Sequence, residues 1–230
     1  MSIRFVYTLI IMKKAMIVYG GWNGHDPKGV AELFAGILKK EKFEVALFDS
    51  LDAFSDKAAV AAQDLIIPVW TMSEIDGQYV KNVSEAVANG AGLAGCHGGM
   101  CDAFRKDTNW QFLTGAQWVA HPGNDGVEYT VDIVKSSDSK IVEGIENFKV
   151  KSEQYYIHID PANNVLATTR FPIADGPYAA NGAVDVPIVY TRRWGKGRVF
   201  YNSLGHTSAV FKNSPEATEL MRRGFLWAAR

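Results

Sequence analysis

The residues best suited to chemistry in this 230-residue chain are its five histidines, His25, His97, His121, His158 and His206. His97 stands in "GLAGCHGGM" (92–100), an apolar run that enters a glycine turn as Gly95-Cys96-His97-Gly98-Gly99. In many α/β enzymes a strand-to-helix turn of this form presents a nucleophile. Here an imidazole holds that place and Cys96 comes one step early. No serine stands at the turn, and His206-Thr207-Ser208 lacks the following carboxylate of a Cys-His-Glu set. Covalent acyl transfer is therefore not expected, which leaves proton transfer or metal ligation for the imidazole.

His25 follows a strand in "GGWNGHDP", and His206 ends "RVFYNSLGH". Loops after parallel strands converge at the carboxyl edge of a sheet, so these two and His97 are expected at one site. Three neutral imidazoles there suit zinc or another first-row divalent ion, completed by a carboxylate from Asp26, Asp102 or Glu153. A metal-free set explains the same residues equally well, with His97, His206 and Glu153 as acid and base. Each histidine taken alone also reads as a backbone cap or the filler of a polar niche. Glu153, in the aromatic-rich "KSEQYYIHIDP", is expected to have a raised pKa. Trp22, Tyr155, His121 (in "WVAHPG") and His158 are the candidate substrate contacts; aromatic rings such as Trp22 at a pocket mouth suit sugar faces, although such residues more often plug a core. Trp22, Trp70, Trp118 and Trp194 all fall near loop ends. "GGWNG" lacks both phosphate-loop spacings, so no nucleotide cofactor is expected.

Positioning such a site requires alternating strands and helices. "AMIVYGG" reads as a strand buried on both faces. After it, Asp26 caps a helix with Pro27 at its first position and Val30, Leu33, Phe34, Ile37 and Leu38 on one face. "FEVALFD", "DLIIPVW" and "AGLAGCH" are further strands, and "DGQYVKNVSEAVANG" is a helix closed by Asn89-Gly90. This alternation predicts a mainly parallel sheet with right-handed crossovers. Beyond residue 125, "GVEYTVDIV", "NNVLATT", "VPIVYTRRW" and "GRVFYNSLGH" are β-rich, with a hairpin at Trp194-Gly195-Lys196-Gly197. Ser214 and Pro215 open a last helix with Leu220, Met221, Gly224 and Phe225 inward. Residues 170–187 form a long Gly/Pro/Ala-rich connection, a candidate flap that would carry Tyr178 or Arg170 over a ligand.

The chain is 47% hydrophobic and 21% charged, with a formal net charge of -1. That balance gives no footprint for nucleic acid or a membrane surface. Arg192, Arg193, Lys196 and Arg198 read as a solvated hairpin. Two cysteines, Cys96 and Cys101, make no disulfide framework, and a cytoplasmic setting is expected. Residues 1–11 read as an N-terminal extension and 12–230 as one α/β domain. The aromatic residues near loop ends admit a small-molecule sugar as partner, and homo-oligomerisation is left open.

Taken together, "YGGWNGHDP", "GLAGCHGG", "WVAHPG", "SEQYYIHIDP" and "VYTRRWGKGRVFYNSLGH" resemble the trehalose-utilization (ThuA-like) proteins over nearly the whole chain from Met12. The resemblance implies a three-layer, flavodoxin-like fold of the class I glutamine-amidotransferase type, in a cytoplasmic protein of carbohydrate metabolism. It links the chain to disaccharide use and to sugar oxidation at the 3-position. It puts His97 at the amidotransferase nucleophile place and His206 at that of the triad histidine. His25 matches the family's first-loop histidine, and Glu153 with Tyr155 its acidic-aromatic motif. Ser152 departs from the pattern, which has an acidic residue there. The implied function is an enzyme acting on a disaccharide or keto-sugar, with that sugar as its small-molecule partner, not a glutaminase. The alternative is a non-catalytic sugar-binding, regulatory or oligomerisation module.

Overall fold

In Lys14–Gly21 (β1) successive side chains enter two different cores: Ala15 and Ile17 pack to one side, Met16 and Val18 to the other. A strand needs no polar face when helices cover both sides of its sheet, and the order of elements supplies them. The structure, a computed structural model, describes residues 12–230; the extension read over residues 1–11 lies outside the described residues. After β1 come α1 (Pro27–Lys40), β2 (Glu44–Phe48), α2 (Lys57–Ala61), β3 (Leu65–Thr71), α3 (Gly77–Ala88) and β4 (Gly92–Cys96). Then follow α4 (Gly98–Cys101), α5 (Thr108–Thr114), β5 (Ala116–Ala120), β6 (Val127–Ile133), β7 (Phe148–Ser152) and β8 (Tyr156–Ile159). The chain closes with β9 (Asn164–Phe171), β10 (Val184–Trp194), β11 (Gly197–Asn202), α6 (Ser208–Asn213) and α7 (Pro215–Ala228).

Among the described residues, nine strands form one sheet in the order β2-β1-β3-β4-β11-β10-β9-β6-β7. The pairs among β2, β1, β3, β4 and β11 are parallel, and those from β11 outward to β7 are antiparallel. The expected parallel sheet is thus the central part of a mixed one, with the β-rich second half appended at its edge. Val30, Phe34 and Leu38 of α1 share one core with Leu220, Met221 and Phe225 of α7. Val60, Val80, Val83 and Val87 of α2 and α3 lie in the other. Three layers result. A separate antiparallel ribbon, β5 with β8, lies outside the main sheet.

Two expectations for the second half are corrected. Arg192 is buried and paired with Asp160 at 3.2 Å, so the basic hairpin is not simply solvated. The connection over residues 170–187 is shorter than the sequence suggests, because β9 runs to Phe171 and β10 starts at Val184. Arg170 pairs with Asp185 on the neighbouring strand, and Tyr178 packs on Tyr156 and Phe171.

Candidate functional site

The parallel strands β1, β3, β4 and β11 end at one edge, and each delivers a polar group there. At the end of β4 the chain turns through His97, whose φ of 48° and ψ of -141° lie where non-glycine residues rarely sit. Its N–H donates to Asn202 O at 2.8 Å and its carbonyl accepts from the Tyr201 hydroxyl at 3.1 Å, so β11 holds the turn. Gly98 follows because nothing larger fits: a Cβ there would lie 2.7 Å from His25 Cε1. Close approach of the first-loop histidine to the turn depends on that missing atom.

His97 Nδ1 lies 2.7 Å from Ser203 O. A carbonyl only accepts, so Nδ1 carries the proton and a neutral His97 presents the Nε2 lone pair on its other side. That Nε2 is 3.1 Å from Glu153 Oε2. His25, in the short helical turn after β1, uses Nδ1 on Thr71 Oγ1 at 2.8 Å and brings Nε2 to 3.6 Å from the same carboxylate oxygen. His206, after β11, places Nδ1 3.3 Å from it. Tyr155 stacks on His97 at 3.9 Å between ring centres and keeps the ring plane fixed.

Glu153 comes from the antiparallel half, in the link between β7 and β8. Its carbonyl accepts from the Tyr129 hydroxyl at 3.0 Å, and the next residue, Gln154, donates to Thr169 Oγ1 at 2.8 Å. Only 4% of Glu153 is exposed. Burial alone would raise its pKa, but the imidazoles of His206, His25 and His97 beside it outweigh that effect and hold the carboxyl below the usual carboxylate range. The raised pKa expected from the sequence is thereby corrected, since the aromatic surroundings come with three imidazoles. Burial pulls the His97 pKa down to about 4 against the pull of Glu153, with His25 adding to the lowering. For His206, burial is overcome by the Glu153 carboxylate 3.3 Å away, with a further contribution from Asp125, and its pKa rises.

This donor set fits a divalent cation. One nitrogen each from His25, His97 and His206 and one oxygen of Glu153 all lie within 4.8 Å of one another. The three nitrogen-to-Oε2 separations, 3.1, 3.3 and 3.6 Å, bracket the spacing of about 3.3 Å that bonds of about 2.0–2.1 Å give around a tetrahedral ion. Metal-bound histidines usually tie off their second nitrogen. Here Ser203 O does so for His97 and Thr71 Oγ1 stands at that nitrogen of His25.

The other candidate residues are spread around this cluster. His121 is half-buried, with Nδ1 3.8 Å from Glu153 Oε1, the oxygen that faces away from the three histidines. Trp22 meets His25 edge-on at 4.7 Å and keeps 46% of its surface exposed. His158 does not join them: it is exposed on β8 and lines a surface cleft with Phe112 and Gln117. Asp102 is buried but held by Arg105, and Asp26 caps α1, so neither carboxylate enters the cluster. Cys96 and Cys101 are free and buried, and burial pushes the Cys101 thiol up to about 12. Sequence reasoning misses Thr71, Asp125 and Arg105, whose guanidinium lies 4.3 Å above the Trp118 ring. Thr71 leaves a faint signal, a polar residue closing the apolar run "LIIPVWT".

Among the described residues, no helix is long and apolar enough to cross a membrane. No curated protein sequence matches the chain. In structure it is similar to a ThuA-like protein from Bacteroides uniformis (17% identity, 99% of this chain and 95% of that one, TM-score 0.75). It is also similar to a ThuA-like protein from Parabacteroides merdae (18% identity, 95% and 90% covered, TM-score 0.73). A third similar structure is a β-galactosidase from Bacillus circulans (11% identity, TM-score 0.62), where the match covers 94% of this chain and 30% of the other. The family model described as "Trehalose utilisation" (ThuA) matches residues 14–228, and the chain belongs to that family.

Proposed function

We propose that this chain is a cytoplasmic sugar-processing enzyme that holds one divalent cation on His25, His97, His206 and Glu153 and acts on a disaccharide or keto-sugar. The observation that supports it most directly is the pair His97 Nε2 and Glu153 Oε2, 3.1 Å apart with Nδ1 already committed to a carbonyl. A lone pair facing a carboxylate is repulsive unless a proton or a cation lies between them. Burial disfavours the protonated imidazole, which leaves the cation as the better match. Bound there, a divalent ion supplies Lewis-acid polarisation of a sugar carbonyl or hydroxyl oxygen.

The remaining work falls to the chain's own side chains. The exposed face of Trp22 beside His25 suits stacking on a sugar ring. The half-buried His121 is the imidazole left to exchange a proton with a bound sugar, since His25, His97 and His206 are engaged in holding the ion. Tyr155 keeps His97 in plane and blocks solvent behind it.

The test is elemental analysis of chelator-free protein with turnover of a 3-keto-glycoside. About one divalent ion per chain is expected. His97→Ala and Glu153→Ala are expected to lose both the ion and turnover by orders of magnitude while remaining folded. Protein that takes up no ion after supplementation with zinc or manganese, yet turns over substrate, overturns the cation and returns His97 and His206 to acid-base roles. A second reading has its own observation, because the same fold forms only 30% of the matched β-galactosidase chain. In it the chain is a sugar-binding or assembly module; disaccharide binding with no product over long incubation favours that reading.

A further inference from the structure

Asp26 performs two tasks at once. Its Oδ1 accepts from Gly29 N at 3.1 Å and caps α1. Its Oδ2 accepts from the Ser208 hydroxyl at 2.6 Å and from Ser208 N at 3.3 Å, a partner 182 residues away. One carboxylate thus spans the start of α1 and the start of α6. His25 immediately precedes Asp26, and His206 lies two residues before Ser208. The two loops bring these imidazole rings to 5.0 Å between centres.

The arrangement exceeds what a helix cap requires. Asp26 has a φ of 48°, unfavourable for a side-chain-bearing residue, and an N-cap ordinarily sits in the extended region. Residue 29 is a glycine where a Cβ would lie 2.3 Å from Asp26 Oδ2. Lys212 Nζ adds a donor to the Ser208 hydroxyl at 3.3 Å and completes the bridge. Backbone strain and the missing Cβ both accommodate a carboxylate aimed at α6 as well as at its own helix.

We infer that Asp26 is a positioning residue that sets the separation of His25 and His206 by clamping their two loops together through Ser208. The inference rests on the cation-binding reading for its functional consequence, though not for its geometry. Outer partners that orient metal-binding side chains typically change affinity by about 10–100-fold when removed. Asp26→Ser keeps a residue competent to cap α1 but too short to span to Ser208. Asp26→Asn keeps one oxygen and preserves part of the bridge. Ser208→Ala removes the hydroxyl contact and leaves the α1 cap untouched.

The experiment is zinc titration by calorimetry of wild type and the three variants, with circular dichroism as the control for folding. Zinc affinity is expected to fall about 10–100-fold in Asp26→Ser, and by less in Asp26→Asn and Ser208→Ala. A purely structural role predicts zinc affinity unchanged in Asp26→Ser and Ser208→Ala alike, with any change confined to the melting temperature; that result overturns the inference. Wild type that binds no zinc defeats the cation reading alone. Crystal structures of wild type and Ser208→Ala then decide the clamp: a widened separation of the His25 and His206 rings supports it, and an unchanged one overturns it.

Discussion

Three imidazoles around one carboxylate, closed off from water, leave few ways to arrange protons. Glu153 is held ionised by the imidazoles around it, and burial keeps His97 neutral through the physiological range, with a pKa of about 4. His206 is the group whose pKa is raised, so the Glu153 carboxylate beside it favours its protonated form. A divalent ion needs the neutral imidazole, and its binding must expel that proton. Zinc binding is therefore expected to release protons, measured by calorimetry in two buffers of different ionisation heat. Acidification acts in the same direction and weakens binding as the histidines charge. Identical heats in both buffers would remove His206 as the proton's holder.

Among the elements, α7 shows how a helix can be read from sequence and then secured by contacts that cannot. Its cap by Ser214, the first-position Pro215 and the inward Leu220, Met221, Gly224 and Phe225 follow from local rules, and the structure has them all. What the periodicity does not contain is the outer face. There Glu219 accepts from Arg222 and Arg223, and Arg222 reaches Glu41 at the end of α1 at 2.9 Å. Hydrogen bonds from Arg222 are the main cause that lowers the Glu219 pKa from 4.5 to about 2, against a smaller upward push from burial. A depressed carboxylate stabilises the fold above its unfolded pKa and loses that contribution as pH falls through the folded one. Wild type should therefore lose stability between pH 4.5 and about 2, and Glu219→Gln should be less stable at pH 7 with a flatter profile across that window. Parallel urea melts of the two proteins at matched pH check it; curves of equal slope with pH would dismiss the pair as a contributor.

The same limit governs the site. His25, His97 and His206 were legible because each follows a strand of the parallel core, and the rule for carboxyl edges brings such loops together. Glu153 was legible only as a residue type among aromatics, since nothing local says that the link between β7 and β8 returns to that edge. Its pKa direction was missed for the same reason. His158 shows the converse: it alternates with apolar neighbours in "YIHI", yet its strand pairs in the outer ribbon and leaves it exposed. Spacing along the chain places residues within an element, whereas their meeting depends on how elements from distant segments stack.

At the scale of the whole molecule, the cluster joins two parts of different construction. The parallel core supplies three histidines and the antiparallel extension supplies Glu153, with Tyr129 and Gln154 anchoring it. An ion held by both parts binds only when both are folded, so it must stabilise the chain globally. At 100 times the dissociation constant that linkage is worth about 2.7 kcal/mol. With about 2–4 °C per kcal/mol for a chain of this size, zinc should raise the melting temperature by about 5–10 °C. Glu153→Ala should melt as one transition without most of that shift, because the extension no longer contributes a ligand. A shift of equal size in the variant would confine the ion to the three imidazoles of the parallel core. Loss of the shift in Glu153→Ala, together with its reduction in Asp26→Ser, would show the two parts and the two loops acting on one ion.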